Sequence, residues 1–246
     1  MDAFTIQIAG LVARVQPKFA STREYCRSYL TELEPEFFVE VTDSDLVYEQ
    51  EMAEQEAIQE GIRIRKYADP YLERAAIQRK IALELLTRDT IMFHGSTVGM
   101  DGAAYLFTAP CGAGKSTHTR FWREIFGERA VMVNDDKPFL QITSSGVLAY
   151  GPPWSGKHGL DSNICLPLKG ICFLRRGTVN QIHPAKPEAF IDEIRHPSFI
   201  PEEPVARAKA LALADELVRM CPFWYMECTK NPEAAMVSYG AMSGNL

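Results

Sequence analysis

The sequence predicts an α/β fold, and three observations carry that expectation. Short apolar runs with a two-residue period alternate along the chain with longer stretches of helical period. Within TAPCGAGKSTHTRFW, residues 108–122, a small-residue loop ending in Gly-Lys-Ser joins one of those runs to a helical pattern. A further apolar run, AVMVNDD, ends in two adjacent carboxylates, Asp135 and Asp136. With 246 residues, 46% of them hydrophobic, the chain can bury a substantial core. The texture changes near Thr90, which divides an N-terminal α+β region, 1–88, from a core, 89–246.

FTIQIAGLVARV (4–15) alternates as a half-buried strand does, and FFVEVT (37–42) is a shorter run of the same type. SDLVYEQEMAEQEAIQEG then reads as a helix capped by Asp43 or Ser44 and ended by Gly61, with an acid-rich face expected in solvent. DPYLERAAIQRKIALELLTRD follows as a second helix, with Asp69 as cap and Pro70 in the first turn. Its Tyr71, Ala75, Ile77, Ile81, Leu83 and Leu85 form an apolar face expected to pack as core. TIMFHGSTVGM and AAYLFTA are apolar runs joined by Asp101-Gly102, a dipeptide that suits a tight hairpin. KSTHTRFWREIFG is a helix closed by Gly127, and AVMVNDD the next strand. LPLKGICFLRR and PFWYMECT read as strands; PEAFIDEIR, EEPVARAKALALADELVRM and a short segment from Asn231 read as helices.

Charge and cysteine usage narrow the classes of function. The net charge of −6 gives no basic footprint for nucleic acid or an anionic membrane. The six cysteines are scattered without CxxC or zinc-ligand spacing, as reduced thiols are. No positively charged region precedes a long apolar segment at the N-terminus, and no run approaches a membrane span. A cytoplasmic location is expected.

The small-residue stretch carries the chemistry. Its window Ala109–Ser116 matches the phosphate-loop pattern GxxxxGK[ST] except at the first position, where Ala109 replaces glycine. Pro110 removes one amide donor. Gly112, Ala113, Gly114, Lys115, Ser116 and Thr117 remain able to turn successive amides toward an anion at a helix N-terminus. Lys115 would bridge the β- and γ-phosphates of a nucleotide, and the Ser116 hydroxyl would go to Mg²⁺. Asp135 and Asp136 then stand where carboxylates hold the metal or take a proton from an attacking hydroxyl.

Together, His94-Gly95 on the strand entering the hairpin, the GAGKS loop and the paired aspartates resemble the HPr kinase/phosphorylase family of the phosphoenolpyruvate-carboxykinase-like P-loop proteins. The resemblance covers roughly residues 90–176. It implies a P-loop kinase core with a mixed sheet, Asp135 as the acid/base facing the acceptor, Asp136 on magnesium, and His94 beside Asp135. The family's EIRG segment has no counterpart where LDSNICLPLKG stands, and its arginine-rich loop is not recognisable. YGPPWSGKHG (150–159) occupies that part of the chain. Its prolines and glycines predict a shaped loop presenting Trp154, Lys157 and His158 over the site, with Lys157 on a phosphate or the acceptor. Arg175 and Arg176 rank below Lys157.

The resulting expectation is an ATP- and Mg²⁺-dependent kinase acting on a hydroxyl acceptor: a serine or threonine of a protein or peptide, or a small alcohol. The alternatives are a nucleotide-binding regulator that transfers nothing and an ATPase that uses water.

Overall fold

A computed structural model describes residues 1–59, 61–110, 112–186, 194–195 and 197–244. These divide into two compact units, Met1–Leu85 and Leu86–Leu246, just before the boundary expected at residue 88.

The first unit holds a three-stranded sheet, β1 (Phe4–Ile8), β2 (Leu11–Gln16) and β3 (Phe37–Glu40), in that order. The expected single strand over 4–15 is a hairpin. Ala9 and Gly10 both take positive φ, 49° and 80°, the two-residue turn whose twist suits antiparallel strands. A short helix, α1 (Ala20–Tyr25), precedes β3, and two long ones follow it: α2 (Asp43–Gln59) and α3 (Asp69–Leu86). The cap of α2 is Thr42 rather than Asp43 or Ser44. Its hydroxyl accepts from the Asp45 amide while the Asp45 carboxylate accepts from the Thr42 amide, a reciprocal capping box.

The acid-rich face of α2 is only partly in solvent. Asp45 and Glu49 pair with Arg79 at 2.9 and 2.5 Å, and Asp45 also with Lys80 at 2.8 Å. Burial alone would raise the Asp45 carboxyl, but hydrogen bonds from Lys80 and Thr42 hold it below the usual carboxylate range. On α3, Leu72, Ala76, Ile77, Ile81 and Leu85 are buried, whereas Tyr71 is exposed, outside the core stripe expected of it. Glu73 is fully buried because it accepts from the amides of Lys18 and Phe19 and from the Thr22 hydroxyl.

The second unit is built on a mixed sheet. Its strands are β4 (Thr90–Met92), β5 (Ser96–Met100), β6 (Ala103–Thr108), β7 (Val131–Asn134), β8 (Phe139–Thr143), β9 (Gly146–Tyr150), β10 (Cys165–Arg176), β11 (Gln181–Pro184) and β12 (Phe223–Cys228). The order is β4-β8-β9-β10-β6-β5-β7, with β12 also on β10 and β11 on β12. TIMFHGSTVGM therefore breaks at His94-Gly95, with β4 pairing β8 and β5 pairing β6 and β7. The β5–β6 turn is the predicted one, with Asp101 and Gly102 at positive φ. The hairpin of β8 and β9, and β11, are additions to the expected strands. Helices α4 (Lys115–Phe126), α5 (Pro204–Met220) and α6 (Glu233–Ser243) complete the unit. The PEAFIDEIR helix lies outside the described residues except for Ile194 and Arg195.

Strand direction positions the site. β6, β10 and β12 run parallel, β5 is antiparallel to both β6 and β7, and so β7 runs with β6. Thr108, Asn134 and Arg176, the last residues of β6, β7 and β10, consequently leave the sheet at one edge, where ligands of open α/β sheets collect.

Helix α4 is anchored to α6 by a buried histidine. His118 Nε2 lies 2.9 Å from Ser238 Oγ, and Trp122 Nε1 donates to the same hydroxyl at 2.9 Å. Burial lowers the His118 pKa from 6.5 to about 3, so the ring is neutral. The unfolded chain binds this proton below pH 6.5 and the folded chain does not, so stability falls as pH drops from 6.5 toward 3. The expected loss is about 1.4 kcal/mol per pH unit from this group alone. Urea midpoints of wild type and His118→Gln measured from pH 7 to 4 should converge on acidification; parallel curves would contradict the assignment.

Candidate functional site

The phosphate-loop candidate connects β6 to α4. Gly112 and Gly114 take φ of 71° and 121°, conformations that a side chain would oppose, and α4 starts directly at Lys115. No acidic residue stands in that first turn. The Lys115 ammonium donates to the carbonyl of Ala109 at 2.9 Å, across its own loop. Ser116 and Thr117 are half-buried in the first turn. Arg176, leaving β10, donates from Nη2 to the Gly112 carbonyl at 2.5 Å. Arg175, its neighbour, instead donates to Tyr225 Oη at 3.2 Å. Thus Arg176 reaches the loop, a contact that nothing within LPLKGICFLRR signals.

The aspartates follow β7. Asp135 is buried, 7% exposed, and its Oδ1 accepts from Ser96 Oγ at 2.6 Å. Ser96 Oγ in turn lies 2.8 Å from Thr119 Oγ1. Ser96 gives its one proton to Asp135, so Thr119 is the donor to Ser96, its hydroxyl also lying 3.4 Å from the carbonyls of Lys115 and Ser116. Thr119 sits one turn beyond Lys115, and this relay ties Asp135 to the helix that carries the loop.

Asp136 is about one-third exposed and lies 3.4 Å from His94 Nε2. His94 thus pairs with Asp136, the residue after the Asp135 that the resemblance sets it beside. The backbone explains this: the Gly95 amide donates to the Asp136 carbonyl at 2.9 Å, and the His94 amide to Pro197 at 2.7 Å.

Asn134 holds the turn, and sequence reading passes over it. Fully buried, its Oδ1 accepts from the amides of Asp136 and Lys137 at 2.8 and 2.7 Å. Its Nδ2 donates to the carbonyls of Pro152 and Trp154 at 2.8 and 3.2 Å. All four bonds stabilise one arrangement of the aspartate turn against the 150–159 segment. The first half of that segment is core. Residues 151–155 are buried, and Trp154, expected on a surface loop, is 6% exposed with its ring edge-on to Phe139. Only residues 156–159 are exposed, and they carry Lys157 and His158 on a single turn. That turn lies against Asp136, for a Cβ on Gly156 would stand 3.3 Å from the aspartate's Cβ.

Loop, relay, aspartate turn and Lys157 turn come together at one sheet edge, with cations from Lys115 and Arg176 near the loop and carboxylates from Asp135 and Asp136 just after β7. Such an array can hold a polyanion and withdraw a proton from a neighbouring group. Among the described residues, no helix is long and apolar enough to cross a membrane. No family model and no curated protein matches the chain. Among solved structures it is similar to the HPr(Ser) kinase/phosphatase from Coxiella burnetii, at 8% identity and a TM-score of 0.37, over 63% of this chain and 95% of that one.

Proposed function

We propose that the chain is an ATP- and magnesium-dependent kinase that transfers the γ-phosphoryl group to a hydroxyl. The observation that carries the reading is the hydrogen-bonded relay from Asp135 through Ser96 to Thr119, which fixes a buried carboxylate to the helix of the GAGKS loop. The glycine conformations at 112 and 114 and the helix N-terminus suit phosphate oxygens. Magnesium takes hard oxygen donors and keeps several waters; the Ser116 hydroxyl and the Asp136 carboxylate are donors of that kind.

ATP supplies the phosphoryl group and magnesium neutralises its charge. The protein's part is positioning and proton management. Lys115 would leave the Ala109 carbonyl for the phosphates, and Arg176 adds a second cation at the loop. Asp135, its Oδ1 held by Ser96, takes the acceptor's proton on Oδ2 as the acceptor oxygen bonds to phosphorus and the nucleoside diphosphate departs. Lys157, on the exposed turn that begins with Gly156 beside Asp136, would contact a phosphate or the acceptor.

The test uses γ-labelled ATP, magnesium and two acceptor sets, serine- and threonine-containing peptides and small alcohols. Label in an acceptor supports the kinase. Label appearing only as phosphate, at a rate independent of acceptor, identifies an ATPase, and tight ATP binding with no labelled product identifies a regulator. Lys115→Ala is expected to abolish nucleotide-dependent turnover, because it removes the ammonium at the loop.

A further inference from the structure

We propose a second binding site, independent of the phosphotransfer reading: a groove on the N-terminal unit that docks an acidic peptide in extended conformation. A cavity of about 300 Å³ opens between α2, the segment after it and the start of α3. Its walls include Glu56 and Ala57 of α2, Arg63 and Arg65 of the segment, and Tyr67 and Tyr71, whose rings stack at 4.6 Å.

The segment GIRIRKY, 61–67, alternates aliphatic and basic side chains. Arg63, Arg65 and Lys66 fall within four residues of a chain whose net charge is −6, and none has an ion-pair partner among the described residues. Ile62, Ile64 and Tyr71 stand beside them at 52%, 49% and 47% exposure, apolar surface that solvent disfavours and a partner would cover.

Backbone geometry selects the occupant. The Gln50 side chain donates from Nε2 to the Arg65 carbonyl at 2.8 Å and accepts on Oε1 from the Tyr67 backbone amide at 3.0 Å, the two bonds that a neighbouring strand would make. Residues 62–68 carry neither helix nor turn, and among the described residues the main-chain amide and carbonyl of Lys66, between those two bonds, make no hydrogen bond. An extended peptide can add to those two groups through its main chain, its acids facing the arginines and its apolar residues the isoleucines and tyrosines. The chain's overall negative charge disfavours a nucleic acid in the same place.

The experiment measures fluorescence anisotropy of a labelled decapeptide of alternating glutamate and valine on the full chain. Comparison probes are an alternating lysine–valine decapeptide and a single-stranded oligonucleotide. Specific binding of the acidic peptide, weakened by salt and at least about tenfold by Arg63→Glu/Arg65→Glu, is expected. Equal affinity in that variant, equal binding of the lysine peptide, or tighter binding of the oligonucleotide would overturn the site. If the double variant melts lower than wild type, Lys66→Glu replaces it, and an unchanged affinity there is equally decisive. Lys115→Ala should bind the peptide like wild type, so a failed phosphotransfer reading and a failed groove give different results.

Discussion

Asp135→Asn is expected to lower phosphoryl transfer by on the order of 10²–10⁴-fold, the usual contribution of a positioned base, while nucleotide affinity stays close to wild type. The substitution is nearly isosteric. Ser96 can still donate to the remaining carbonyl oxygen, so the relay to Thr119 and the placement of the loop helix survive. What disappears is the group proposed to accept the proton. Single-turnover transfer from γ-labelled ATP, with affinity measured by calorimetry, separates the two quantities. Asp136→Asn offers the contrast. It removes a candidate magnesium oxygen and the carboxylate beside His94, and its effect should fall on the magnesium requirement instead. Unchanged transfer by Asp135→Asn would take that residue out of proton transfer and leave Asp136 with His94 as the pair to test.

The parts of the site that were legible are those whose determinants lie close together in sequence. The glycines around 112–114, the helix that begins at Lys115 and the Asp101-Gly102 turn are local statements about backbone conformation, and the structure adopts them. The parts that were not legible depend on contacts between distant segments. Nothing near Asn134 announces that its amide will reach Pro152 and Trp154, because an asparagine before two aspartates reads as ordinary turn chemistry. Arg176 meets the Gly112 carbonyl only because β10 lies parallel beside β6. His94 meets Asp136 because the Gly95 amide pairs with the Asp136 carbonyl, and adjacency in sequence cannot choose between neighbouring aspartates. The N-terminal hairpin was hidden for a different reason. Ala9 takes a positive φ, where alanine is disfavoured, so sequence preference argued for an unbroken strand. The prolines and glycines of 150–159 also misjudged Trp154, whose polar tip suggested a surface loop but whose ring fills space beside Phe139.

Gly151→Ala should destabilise the second unit strongly, costing about 3 kcal/mol, the upper end for overpacking. A Cβ at this position would stand 2.1 Å from the Val133 carbonyl oxygen and 2.3 Å from that of Ser162. Both obstacles are backbone, so no rotamer change relieves them. The same carbonyl of Val133 accepts from the Ser162 amide, and the Gly151 amide donates to Ile164, which makes this a junction of three chain segments. For a unit of this size the melting temperature should fall by roughly 6–12 °C. Gly159→Ala is the matched control. It has a φ of 58° and open space around its missing Cβ, so it carries only the conformational cost, about 1 kcal/mol. The consequence extends to the site, because Val133 immediately precedes Asn134. Displacing the end of β7 pulls the Asn134 amide from Pro152 and Trp154 and moves the aspartate turn away from the loop. Transfer by the folded fraction of Gly151→Ala should therefore fall more than stability alone accounts for. A variant melting within about 2 °C of wild type would mean that β7 and the 150–159 segment are not packed this closely, and the Asn134 clamp would lose its geometric basis.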